Sequence, residues 1–339
     1  MKFINKMRES IIIIVAFLFT IQGCTQKNKA MITQNPTITA DNIVEGINKQ
    51  IKHYPEEIIY KFRFESYYCH FEIFINDIPV YKNFAGSMTS SAFDINPYIF
   101  KSGTQKLTYK MYPIGKVENE QEYNEFRDIT YLQLTLKSYD LKNENKDDVT
   151  YNEYKTPDNI VKDEYGNETK KFIAEGKDYY EGSFMFEAKV PYELDSFENA
   201  QDLRKTNPKT LEAQLIKQYA TMKNMYQNKE YDNIARTSFD KLKNEYISTY
   251  ENKDEIKKAW DAFIEGFKNP KLEMQPIENY KMVFFADGKL VALMQNTNDN
   301  RLKGSTALWG KVQQDGKTRV FIAKNYFYIP HGKTEFEVY

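Results

Sequence analysis

FEIFINDIPV, residues 71–80, decides the fold. Phe71, Ile73 and Ile75 stand at alternate positions with Glu72 facing the other way, which is the two-residue period of a strand with one buried face. Asp77 to Pro79 ends the run with turn chemistry. The same period surrounds it. In YKFRFESYY (60–68), Tyr60, Phe62 and Phe64 alternate with Lys61, Arg63 and Glu65. KLTYKMYP (106–113) places Leu107, Tyr109 and Met111 on one face, and YLQLTLKSY (131–139) does so with Leu132, Leu134 and Leu136. EGSFMFEAKVPY (181–192) aligns Phe184, Phe186, Ala188 and Val190. Alternating strands with turn residues between them predict an antiparallel β-sandwich, bounded at 46–195. Its long interruption, 140–172, carries charges of both signs and almost no apolar period. It reads as an extended loop or an exposed hairpin near Tyr165-Gly166-Asn167.

Within this region, FEIFINDIPV, SSAFDINPYI (90–99) and KSGTQKLTYKMYP (101–113) are similar in layout to the galactose-binding-like accessory modules. Asn76-Asp77 holds the strand end and polar turn, Phe93-Asp94-Ile95 the short segment that follows, and Gly103 the next turn. The resemblance covers about 45 residues and implies a jelly-roll-like sandwich. On the residues alone, the same layout also serves any β-sandwich that turns its corners, and Asp94 and Asn96 before Pro97 suit the cap of a short helical turn.

Residues 196–210, SFENAQDLRKTNPKT, read as a linker, after which the period changes. Leu211, Leu215, Tyr219, Met222 and Tyr226 line one helix face; Tyr231, Ile234, Phe239, Leu242 and Tyr246 line a second; Ile256, Trp260, Phe263 and Phe267 line a third that stops before Pro270. Strands return in KMVFFADGKLVALM (281–294), a hairpin turned at Asp287-Gly288, and in a second hairpin turned at Asp315-Gly316, with KTEFEVY (333–339) as the last strand. Three helices followed by an antiparallel meander predict an α+β domain over 211–339, which is similar to small cone or cystatin-like domains. The fold class expected for the whole chain is therefore mainly β plus α+β.

The N-terminus carries a different signal. Lys2, Lys6 and Arg8 precede an apolar run from Ile11 to Ile21, and the text turns polar directly after Gly23. That is the charged region and short apolar region of a secretory signal; a membrane-spanning helix needs about 20 apolar residues. Ile21-Gln22-Gly23-Cys24 resembles the bacterial lipobox, departing from it at Gln22. The resemblance implies a signal peptide over 1–23, cleavage between Gly23 and Cys24, and lipidation (a palmitate-type acyl group) of Cys24. Thr25 is not the aspartate of an inner-membrane retention signal, so the implied location is the outer membrane, facing the periplasm or displayed at the surface. Residues 24–45 then read as a tether.

Composition narrows the function classes. The 339 residues carry a net charge of −1, with 26 Tyr and 23 Phe among them. The leader holds Lys2, Lys6, Arg8 and Glu9, so the remainder is acidic at −3, which argues against nucleic acid as a partner. With Cys24 acylated, Cys69 is a lone thiol and no disulfide framework exists. His53, His70 and His331 lack metal-ligand spacing, and no cofactor or metal is expected. Ser238-Phe239-Asp240-Lys241 fits S-x-x-K without its companion motifs, so Lys241 reads as a solvated lysine on a helix. Gly316-Lys317-Thr318 and Gly332-Lys333-Thr334 lack the earlier glycine of a phosphate loop, since Lys311 and Phe327 stand there. Asn296, Asn298 and Asn300 have calcium-loop spacing without carboxylates. Tyr67, Tyr68, Tyr326 and Tyr328 are either sheet packing or a binding surface.

No catalytic set emerges. The expectation is a non-enzymatic lipoprotein that binds a protein partner, specifically an immunity protein that neutralises a toxin effector. A glycan-binding lipoprotein using the sandwich is the second reading, and a hydrolase assembled from scattered acids the third.

Overall fold

The first strands are β1 (Ile58–Tyr67), β2 (His70–Ile75), β3 (Ile78–Asn83), β4 (Met88–Asp94) and β5 (Gly103–Tyr112). After a short pair, β6 (Gly115–Lys116) and β7 (Glu122–Tyr123), come β8 (Tyr131–Asp140), β9 (Val149–Lys155), β10 (Asp158–Lys162), β11 (Glu168–Phe172) and β12 (Tyr180–Ala188). The computed structural model describes residues 32–116, 122–143, 145–162, 164–314 and 316–339. Gly23 and Cys24 therefore lie outside the described residues.

Two four-stranded antiparallel sheets face each other, in the orders β4-β1-β8-β9 and β12-β5-β2-β3. Register follows the alternation: Phe62 pairs with Leu136 and Phe64 with Leu134, so both strands turn the same apolar face inward. Phe62, Phe64, Phe71, Ile73, Leu107 and Met111 are fully buried in the common core. Edge-to-face rings join the sheets, Phe62 to Phe186 at 5.5 Å and Phe64 to Phe71 at 5.2 Å. The β2–β3 turn is Asn76-Asp77, both at positive φ, one residue earlier than expected, because a two-residue hairpin needs left-handed backbone at both central positions. The polar insertion forms edge strand β9 and the β10–β11 hairpin.

The second half contains α2 (Pro208–Gln227), α3 (Tyr231–Thr249) and α4 (Lys253–Lys268). Asn207 caps α2, and Asn252 with Glu255 forms a capping box on α4. An additional short helix, α1 (Ile43–Asn48), packs on α3 and α4. Strands β13 (Leu272–Met274), β14 (Tyr280–Phe285), β15 (Leu290–Gln295), β16 (Trp309–Gln314), β17 (Lys317–Ile322), β18 (Phe327–Tyr328) and β19 (Glu337–Val338) follow. They form two sheets, β13-β16-β17 and β14-β15-β18-β19, where one continuous meander was expected. The loop between β15 and β16 breaks the ladder, leaving the isolated bridge Met294–Thr306.

Two segments read from the sequence as tether and linker are packed in the structure. The tether, set at 24–45, is already packed by Gln34, whose side chain exchanges two hydrogen bonds with the Val338 backbone (2.8 and 3.0 Å). Ile43 and Ile47 are buried, and the Trp260 indole donates to the Ala40 carbonyl at 3.0 Å. The linker set at 196–210 is also built in: Phe197 and Leu203 are buried, and Ala200 bridges to Pro330. Apolar side chains at these spacings find partners, whereas a free linker would leave them in water. Finally, every residue of β15 is buried. The Tyr219 hydroxyl of α2 holds its Leu293 amide from one side, and Phe74 and Ile78 of the sandwich share a core with Leu290, Ala292 and Met294. Residues Gln34–Tyr339 consequently form one compact unit.

Candidate functional site

Phe74, Ile78, Phe197 and Phe285 close the seam between sandwich and second half, and a groove opens above them. It consists of two cavities of about 750 Å³ and 260 Å³, which share Phe74 and Lys110. Since β2 sends Phe71, Ile73 and Ile75 into the sandwich, its other face offers Glu72 and Phe74 to this seam. Lys106, Thr108 and Lys110 of β5 line the same wall. The opposite wall is the segment 196–198 and the β14–β15 turn.

In the larger cavity several of the charged groups have partners. Lys101 meets Glu198 at 2.5 Å, Lys289 donates to the Glu198 carbonyl at 2.8 Å, and Lys110 lies over the Phe74 ring at 4.8 Å. Asp77 accepts from the Asp287 amide at 3.1 Å; burial raises its carboxyl above the ordinary range. Arg204 spans Asp202 (2.8 Å) and Asp287 (2.9 Å). Gly288, at positive φ, makes room for that bridge: a Cβ there would stand 2.3 Å from the Arg204 side chain.

The smaller cavity holds one acid beside a loop that carries Lys303. Glu72 accepts from the Tyr112 hydroxyl at 2.8 Å. Lys303 sits 5.0 Å from both the Phe84 and Tyr112 rings. Lys82 donates to the Lys303 carbonyl (2.6 Å) and the Ser305 hydroxyl (2.5 Å), and burial lowers its ammonium to about 8. Gly304, at φ +68, lets this loop close on β2, since a Cβ would stand 2.6 Å from Glu72 Oε1. Behind it, the buried Gln295 Nε2 has no hydrogen-bond partner among the described residues.

The residues singled out from sequence are scattered. His53 pairs with Glu57 at 2.8 Å, and His331 lies in a surface turn. His70 is buried against Phe84, its imidazole lowered to about 4 by burial and then by Lys303. Among the described residues no three His, Cys, Asp or Glu side chains converge as a metal site. Asp299, between Asn298 and Asn300, is engaged by Arg301 at 2.6 Å. Cys69 is free and buried, its thiol pushed up to about 12 by burial. Asn96 does not cap the short turn Asn96–Tyr98; it accepts from the Tyr60 amide and donates to two carbonyls instead. Tyr326 is buried core, whereas Tyr67 and Tyr68 join Tyr123 and Tyr131 in a half-buried aromatic cluster at one end of the sandwich. Arg127 covers Tyr68 at 4.5 Å, and Lys155 covers Tyr131 at 4.9 Å.

Lys241 differs from its reading as a solvated lysine. It is partly buried, and it lines a small, mostly apolar pocket together with Ser238. No described helix is long and apolar enough to cross a membrane. The groove residues come from far-separated segments, so no local motif could have announced them. The chain matches no family model, and neither curated proteins nor solved structures give a significant match.

Proposed function

We propose that this chain is a non-enzymatic lipoprotein, anchored through Cys24 to the outer membrane and facing the periplasm, that binds a protein partner in the seam groove. Neutralisation of a toxin effector is the specific role. The groove carries the proposal: an aromatic floor of Phe74 and Phe197 lies inside a rim of lysines and carboxylates, the anatomy of a protein-binding patch. Its acids are engaged in holding the walls. Glu198 faces Lys101, Asp287 faces Arg204, and Glu72 holds Tyr112, whereas a proton-transfer group needs a free path to substrate. The test is to send the neighbouring gene's product to the periplasm with and without this chain. Toxicity relieved only when this chain is present supports the role; a harmless neighbour removes it.

A glycan-binding role has its own support in the Tyr67, Tyr68, Tyr123 and Tyr131 cluster, where half-buried rings lie together on the sandwich. Tyr68 adopts φ 51, a conformation that a bulky residue rarely takes. Glycan-array binding lost in Tyr131→Ala would favour this reading, and an array without signal would exclude it.

A further inference from the structure

The pocket that joins Ser238 to Lys241 lies away from the groove, between α3 and α4 on one side and β17, the segment 323–325 and the C-terminal strand on the other. Its volume is about 240 Å³. Leu242, Phe321, Ile322 and Val338 supply apolar wall, and Phe263, 38% exposed, stands at the margin. An apolar wall around a few polar groups is the ordinary composition of a small-molecule site.

Two polar groups in the wall lack what they need. Asn325 is 6% exposed, and its side-chain oxygen accepts from the Tyr226 hydroxyl at 3.3 Å. With the oxygen in that bond, Nδ2 is left without a hydrogen-bond partner among the described residues. A buried donor without an acceptor costs about 1–3 kcal/mol. The Lys241 ammonium donates to the Lys324 carbonyl at 3.3 Å and lies 5.5 Å and 5.9 Å from the Tyr339 and Tyr326 rings. Ring faces and a carbonyl attract a cation but do not neutralise it. No carboxylate forms an ion pair with Lys241 among the described residues, although Glu245 attracts it from the same helix. Burial nevertheless leaves its ammonium at about 8, so it is mainly charged at neutral pH.

Both unsatisfied groups are donors, and one of them is positive. The complementary head is an anion with two acceptor oxygens; the walls call for an unbranched apolar tail. Taking about 30 Å³ for each water-sized group, the space holds about eight non-hydrogen atoms. We propose that this pocket binds a short- to medium-chain carboxylate, with its head on Lys241 and Asn325 and its tail against Leu242, Phe321 and Ile322. This site is independent of the groove and of the partner assigned there.

Hexanoate is the probe, titrated into the full chain carrying Cys24→Ser and followed by calorimetry and by the side-chain amide resonances of Asn325. Binding with a dissociation constant of about 1 mM or tighter is expected. Hexan-1-ol and hexylammonium should bind at least about tenfold more weakly, because they lack the anionic head. Lys241→Met keeps the apolar stem and removes the charge, so its hexanoate affinity should fall about tenfold while its thermal midpoint holds or rises. The proposal is overturned if hexanoate does not bind, if hexan-1-ol binds as well, or if Lys241→Met binds hexanoate unchanged. Should Lys241→Met fail to fold, the comparison of hexanoate with hexan-1-ol on the parent protein decides alone.

Discussion

Asn96, in the corner of the sandwich, donates to the carbonyl of Ser248 near the end of α3 at 3.0 Å. The same side chain donates to the Ile58 carbonyl at 2.9 Å and accepts from the Tyr60 amide at 2.7 Å, and it is fully buried. One amide thus ties β1 to a helix from the other half of the chain. Replacing Asn96 with Ala would take this partner from three backbone groups, two of them in buried bonds. At about 1 kcal/mol for each bond, Asn96→Ala should lose about 3 kcal/mol in urea unfolding with an unchanged denaturant slope. Asn96→Asp, which keeps the acceptor and loses the donor, should lose a comparable amount. A loss under about 1 kcal/mol in both would mean that this corner does not join the halves.

That relationship also shows where the sequence was legible. Strands that expose one face, such as β1 and β8, announced themselves by alternation, and α2 did so by buried residues Leu211, Leu215, Tyr219, Met222 and Tyr226. β15 did not, because burial on both sides erases the period; Leu290 to Met294 could be placed in a hairpin but not between two layers. In the sequence Asn96 suits a local cap, because its true partners are 36 to 152 residues away. The groove and the pocket fail for the same reason. Glu72 and Lys303 line one cavity, and Lys241 and Asn325 another, only once segments far apart in sequence fold against each other.

Tyr219 tests the central position of β15. Its hydroxyl accepts from the Leu293 amide at 3.0 Å and donates to the Asn325 carbonyl at 3.1 Å, with no exposure to solvent. Tyr219→Phe keeps the ring and strands both backbone groups, so about 2 kcal/mol of stability should be lost. Hydrogen exchange at Leu293 should accelerate more than at Leu134 in the sandwich. Equal acceleration at both would show the effect to be global rather than centred on this bond.

His70 predicts part of the acid sensitivity. Its imidazole titrates at about 4 in the folded protein, below the ordinary 6.5. Between these values the unfolded chain binds more protons than the native one, so stability rises with pH through the window. The His70 contribution is fully present above about pH 6.5 and falls by about 3 kcal/mol as pH drops to about 4. His70→Phe, which can keep the contact with Phe84, should flatten the stability curve in that window. A parallel curve would show that His70 does not set the slope.

Cys24 is tested by its own thiol. Cys24→Ser removes the acceptor of the acyl chain, so the chain should lose incorporation of labelled palmitate and leave the membrane fraction. Block of lipoprotein signal peptidase should leave the leader attached to the parent protein. Palmitate labelling that survives Cys24→Ser would contradict the lipobox reading.

The groove is tested by its rim. Lys106 and Lys110 project from the same face of β5, and neither forms a salt bridge among the described residues. Rim charges act mainly on encounter, so Lys106→Glu with Lys110→Glu should slow association with the partner by about tenfold while dissociation changes less. The effect should shrink at high salt, where such charges are screened. The thermal midpoint should fall modestly, since Lys110 covers the Phe74 ring and both lysines offset the charge of Asp77. In the periplasmic co-expression assay the double variant should protect less than the parent at matched abundance. Association and protection both equal to the parent would place the partner on another face and return the aromatic cluster at the end of the sandwich to first consideration.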